Sequence, residues 1–142
     1  MFWIFDARVL IENAIYYSAG AFALWKGGRA ERLVAGALLV ENTLSFFVQN
    51  PHRMSDPRYA SLSLDVATLL VILFATFTTD RRWTLLVSAL QILSMLTFIA
   101  RIIDPTVGTW AYVTVDIAIS FAMMATVVYG AITHRLRLPS PQ

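Results

Sequence analysis

The chain is expected to fold as an all-α integral membrane protein, a bundle of five transmembrane helices with the first residues outside and the last inside. Three observations carry that expectation. Five apolar stretches, at 9–25, 33–48, 62–79, 83–100 and 110–132, fill most of the 142 residues. Each runs to roughly 16–23 residues, near the ~20 that a helix needs to cross a bilayer core of ~30 Å. Hydrophobic residues make up 58% of the chain and charged ones 14%, against about 45–50% and 25% in soluble domains. A helix apolar on every side needs protein or lipid all round it, and a soluble domain of this length has no interior to hold five.

The first helix, 9–25, carries Glu12 and Asn13 near its start, the pair Tyr16-Tyr17, and the small residues Ala19, Gly20 and Ala23. It lacks the basic approach of a cleavable signal, and Asp6, Arg8, Glu12 and Asn13 interrupt its apolar core, so it reads as a retained span. Residues 26–32 form a tight basic connection. Gly27-Gly28 there lacks the pattern of a phosphate-binding loop and reads as a plain turn. The second helix, 33–48, contains Gly36, Ala37 and Glu41, and its small residues should let it approach the first closely. Residues 49–61 hold Asn50-Pro51-His52 and Ser55-Asp56-Pro57, two successive turns. The third helix, 62–79, and the fourth, 83–100, are joined through 80–82, so they should lie antiparallel. Asp104-Pro105 and Gly108 mark the connection 102–109, the fifth helix follows at 110–132, and 136–142 is a short proline-bearing tail. All five prolines fall in loops or the tail, so no span should be kinked.

Basic residues alternate from loop to loop. Lys26, Arg29, Arg32, Arg81, Arg82, Arg135 and Arg137 fall on one side; Arg8, Arg53, Arg58 and Arg101 fall on the other. The positive-inside rule makes the richer side cytoplasmic, and an odd number of crossings agrees with it. Trp3, Trp25, Trp83 and Trp110 sit at helix ends, where an indole prefers the headgroup layer. The expected location is the inner (plasma) membrane, crossed several times. The pI of 9.3 follows from these loop charges and does not indicate a nucleic-acid partner. A weak internal likeness relates Asp65-Val66-Ala67 to Asp116-Ile117-Ala118, and Leu10-Ile11-Glu12-Asn13 to Leu39-Val40-Glu41-Asn42.

Function is less legible, because no motif names a reaction. There is no cysteine, which removes disulfides, thiolate metal sites and thiol redox chemistry. His52 and His134, the two histidines, lie outside the spans, so no histidine pair can hold a haem between helices and no catalytic triad is in view. The chain is expected to be no enzyme and to need no metal or cofactor. Tyr16-Tyr17 reads as packing.

The acids inside the spans are the candidates for chemistry, since a carboxylate at mid-bilayer costs ~2.5–3.5 kcal/mol and turns inward to find partners. Glu12 and Asp65 lie near the outer ends of their helices, while Asp116 and Glu41 lie deeper. Polar residues recur three and four apart, which puts them on one face of each helix. These stripes are Glu41, Ser45 and Gln49; Asp65, Thr68, Thr76 and Thr79; Thr84, Ser88, Gln91, Ser94 and Arg101; and Tyr112, Asp116 and Ser120. Arg101 is the natural counter-ion for an outer cluster of Glu12, Asp65 and Asp116, through its planar fork. Such a cluster either ties helix ends together or, with Glu41, lines an acidic vestibule. The leading expectation is a non-catalytic accessory or structural subunit, with the lipid bilayer and other membrane subunits or further copies of itself as partners. The alternative is a small proton- or cation-linked transporter or channel that uses Glu41 and Asp116.

Overall fold

The computed structural model describes residues 7–48, 57–104, 106 and 108–137. They form five helices: α1 (Ala7–Lys26), α2 (Arg29–Val48), α3 (Pro57–Thr78), α4 (Arg82–Ile103) and α5 (Thr109–Leu136). Trp3, His52, Asp56 and the tail prolines lie outside the described residues. Each helix packs on the next, and α5 closes the ring against α1 while also touching α2. Three helices are long and apolar enough to cross a membrane: Tyr59–Thr78, Arg82–Ile103 and Trp110–His134. The remaining two, α1 and α2, have 20 residues each but are diluted by Glu12-Asn13, Glu31 and Glu41-Asn42.

The helices extend past the apolar stretches at most ends. Backbone hydrogen bonding continues into polar residues once a turn of helix is nucleated, so hydropathy understates length. Pro57, expected in a turn, is the first residue of α3, a position where the missing N–H costs nothing. The connection expected at 26–32 shrinks to Gly27-Gly28, because α2 begins at Arg29. A Cβ on Gly27 would lie 2.4 Å from the Ala23 carbonyl oxygen and 2.5 Å from the Glu31 Cβ. Only glycine permits that approach, and it brings Glu31 inside.

The core is built from small and branched residues. Ala23, Val34, Ala35, Leu38, Ile72, Val87, Val127 and Ala131 are buried where the helices meet. Gly20 is buried against Leu39, as the small-residue reading of α1 and α2 expects. Outside, large apolar side chains point away from the bundle all round it, among them Leu10, Phe22, Leu70, Phe77 (85% exposed), Leu96 and Leu136. A surface of that kind suits hydrocarbon, not water.

The asparagines that end the tetrads Leu10–Asn13 and Leu39–Asn42 meet between α1 and α2. Asn42 Nδ2 donates to Asn13 Oδ1 at 3.3 Å, and one turn away the Tyr17 and Thr43 hydroxyls are 2.8 Å apart. These bonds set the antiparallel register of α1 and α2, which places Glu41 within the bundle.

Candidate functional site

Two polar clusters lie inside the bundle. The first is a cavity of about 130 Å³ lined by Tyr16, Leu38, Glu41, Asn42, Ser45, Asp65, Ser94, Asp116, Ser120 and Met123. The polar stripes of α2 to α5 converge on it, as helical periodicity predicts. Leu38, Met123 and Tyr16 are buried and floor the cavity, whereas Asp116 is exposed and stands at its mouth. Glu41 receives a hydrogen bond from Gln91 Nε2 at 3.2 Å, and Asp65 lines the cavity beside it. Two carboxyls that line one small cavity can share a single proton, since a protonated carboxyl donates and an ionised carboxylate accepts. Ser94 donates to Asp116 at 3.3 Å. Among the described residues, no lysine, arginine or histidine lines this cavity.

Of the expected outer cluster, the structure brings together Asp65 and Asp116 and adds Glu41, while Glu12 does not line the cavity. Arg101 is not the counter-ion. Its guanidinium carbon lies 5.9 Å from the centroid of the Tyr112 ring, and no ion pair joins it to an acid among the described residues. The Ser94–Asp116 bond fixes the register of α4 on α5. Arg101 is seven residues beyond Ser94, about 10 Å along the axis, level with Tyr112 and past the cavity. Arg101→Ala should therefore lower stability by only about 0.5–1 kcal/mol, the value of an exposed cation–π contact. Thermal unfolding in mild detergent checks this, and a loss of several times that would restore the clamp.

The second cluster lies at the basic end of the bundle and was not anticipated. Arg81 Nη1 pairs with Glu31 Oε1, and Arg81 Nη2 lies 2.6 Å from His134 Nδ1. Arginine only donates, so this ring nitrogen accepts and the neutral imidazole carries its proton on Nε2. Glu31 is 1% exposed. Arg81 occupies the N-cap of α4 without capping it through its side chain, because its guanidinium reaches across to α2 and α5. One arginine thus joins the α1–α2 turn, the α3–α4 turn and the end of α5. The signal available in the sequence was that Glu31 is the sole acid in an otherwise basic turn, and helix α2 places it at the third position, where a carboxylate suits the helix dipole.

Between the clusters runs a line of buried polar side chains on α4. Thr84 is 0% exposed, Ser88 is buried and Gln91 is 1% exposed. Ser88 and Thr76 hydroxyls are 3.0 Å apart, and the carbonyl oxygen of Gln91 has no hydrogen-bond partner among the described residues. Away from these clusters, Asp104 closes the end of α4. Hydrogen bonds from the Thr106 hydroxyl and amide hold its carboxyl below the usual carboxylate range.

Among the described residues, no group of three or more His, Cys, Asp or Glu side chains is placed to hold a metal ion. No protein-family model, curated protein or solved structure matches this chain.

Proposed function

We propose that this protein crosses the membrane five times and binds a small cation, protons included, in the acid-lined cavity, as part of proton- or cation-linked transport. The observation that carries this reading is the convergence of Glu41, Asp65 and Asp116, from three helices, on one cavity whose described lining holds no basic side chain. A carboxyl within a span is costly, and a bundle serving only as packing gains nothing by facing three toward one another. The hydroxyl and amide groups of Tyr16, Asn42, Ser45, Ser94 and Ser120 give an entering cation oxygen ligands in addition to the carboxyls. The absence of a metal-type cluster among the described residues favours a proton or a hydrated monovalent ion over a tightly ligated divalent one.

The direct test is flux into proteoliposomes under an imposed potential, read with an internal pH dye and with sodium- and potassium-sensitive dyes. Glu41→Gln and Asp116→Asn should abolish flux while leaving the helical content and the monodisperse particle unchanged. If the wild type carries no flux and instead co-purifies with a stoichiometric membrane partner, the accessory-subunit reading replaces this one.

The proposed topology places the basic end of the bundle in the cytoplasm and the mouth of the cavity outside. Its support is the charge asymmetry, seven basic residues against four by the positions named above. Reporter fusions after Gly28 and after Gln49 should report opposite compartments. Reporting from the same compartment would remove α2 as a span, and the reverse assignment would remove the orientation.

A further inference from the structure

Resting on that reading, we infer that the transported species is the proton, and that it leaves the cavity along the buried polar face of α4, from Gln91 past Ser88 and Thr84 to the Glu31–Arg81–His134 cluster. Arg81, Thr84, Ser88 and Gln91 follow one another at offsets of three, four and three, so they occupy one stripe of the helix. Neighbours on that stripe are separated by about 4.5–6 Å along the axis. This is the span of one water bridging two hydroxyls.

Each group on the way has the property a relay needs. Ser88 Oγ lies 2.9 Å from the Thr84 carbonyl and 3.0 Å from the Thr76 hydroxyl. Its single hydrogen can point to either, and so can that of Thr76, which lies 2.9 Å from the Ile72 carbonyl. Thr84 Oγ1 lies 2.6 Å from the carbonyl of Arg81. At the upper end, Gln91 holds Glu41 through its amide hydrogen while its carbonyl oxygen is left without a partner, at 1% exposure. A buried acceptor with nothing to accept is costly, and a water there satisfies it while linking Glu41 to Ser88. At the lower end, Glu31 Oε2 and His134 Nε2 both lie against Gly28, where a Cβ would be 2.9 Å from the first and 3.0 Å from the second. Gly28 and His134 are only half-buried, so the route ends at water on the basic side.

The proton balance is one in, one out. A proton entering past Asp116 adds to the ionised member of the Glu41–Asp65 pair. The proton already held by the pair passes to the Gln91 water, each hydroxyl hands on one hydrogen and receives one, and one proton emerges at the Glu31–His134 end. The same path rejects metal ions. Thr84 and Gln91 are almost wholly buried, and α4 offers no charged ligand between Gln91 and Arg81 to replace an ion's water.

Proton and sodium or potassium flux are measured separately in proteoliposomes holding the full chain. Thr84→Val and Ser88→Ala should each cut proton flux by about tenfold or more, whereas Thr84→Ser, which keeps the hydroxyl, should retain it. Thr114→Val removes a hydroxyl on the exposed side of α5 that bonds only within its own helix and should change nothing. If Thr84→Val does not fold, Ser88→Ala and Gln91→Leu make the same test. Proton flux that is undiminished in the α4 variants overturns the route and leaves the cavity reading standing. Flux of sodium or potassium without protons likewise overturns the inference alone. No flux of any of these ions overturns the cavity reading and the route with it.

Discussion

Replacing Arg81 with alanine is expected to destabilise the bundle by about 3–5 kcal/mol, the loss that follows when one partner of a buried ion pair is removed. The side chain of Glu31 is 1% exposed and that of Arg81 23%, so the group stranded by the change is the carboxylate. Its nearest neighbours offer little rescue, since Gly27 and Gly28, which lie against it, have no side chain to donate. Arg81→Lys should recover only part of the loss, because one ammonium cannot address Glu31 and His134 with the geometry of a two-pronged fork. Glu31→Gln should cost less than Arg81→Ala, since a neutral amide still accepts from Arg81 and has no charge to desolvate. Unfolding by heat or by SDS in mild detergent ranks the three variants. A loss below about 1 kcal/mol for Arg81→Ala, the range of an exposed pair, would show that the cluster does not hold the three helix ends together.

Hydropathy made the five helices legible, because a segment of apolar residues has few ways to satisfy its backbone in lipid other than as a helix. The convergence of Glu41, Asp65 and Asp116 was legible for a related reason: residues three and four apart share a face, and an acid turns that face inward. What periodicity does not contain is the axial register between helices. Arg101 is expected to end the fourth helix on the outer side, toward which Glu12, Asp65 and Asp116 also lie, yet the Ser94–Asp116 bond leaves it a turn or more beyond the acids of the cavity. Glu31 was hidden for a different reason. Amid Lys26, Arg29 and Arg32 it has the appearance of a solvated turn residue, and only the close approach allowed by Gly27 shows that the turn is two residues long and its acid buried. His134, which the sequence places only outside the spans, accepts from Arg81. In both cases the missing information is a contact between residues 50 or 53 positions apart, which no local pattern records.

The same dependence on distant contact governs Gly130, where the effect of one methyl group is expected to change sign with its neighbour. In a helix, alanine is favoured over glycine by about 1 kcal/mol, so Gly130→Ala in the middle of the 28-residue α5 would ordinarily stabilise. Trp83 reverses this. A Cβ at Gly130 would lie 2.7 Å from Trp83 Cε2 and 2.9 Å from Cδ2 and Nε1, and Trp83 is 8% exposed, so the rigid ring must shift as a whole to admit it. Overpacking of this kind costs about 1–3 kcal/mol, enough to exceed the helical gain and to leave Gly130→Ala a net loss. Trp83→Leu removes the ring atoms that meet the methyl group. It also removes a buried indole N–H that has no partner among the described residues, which offsets part of the cavity it creates. In that background Gly130→Ala should stabilise by up to about 1 kcal/mol, and the double-mutant cycle should show a coupling of about 1–3 kcal/mol. Unfolding of the four proteins in one detergent gives the cycle directly. If Gly130→Ala has the same sign and size with and without the ring, Trp83 does not pack on Gly130, and the register of α4 against α5 that places Ser94 beside Asp116 would have to be redrawn.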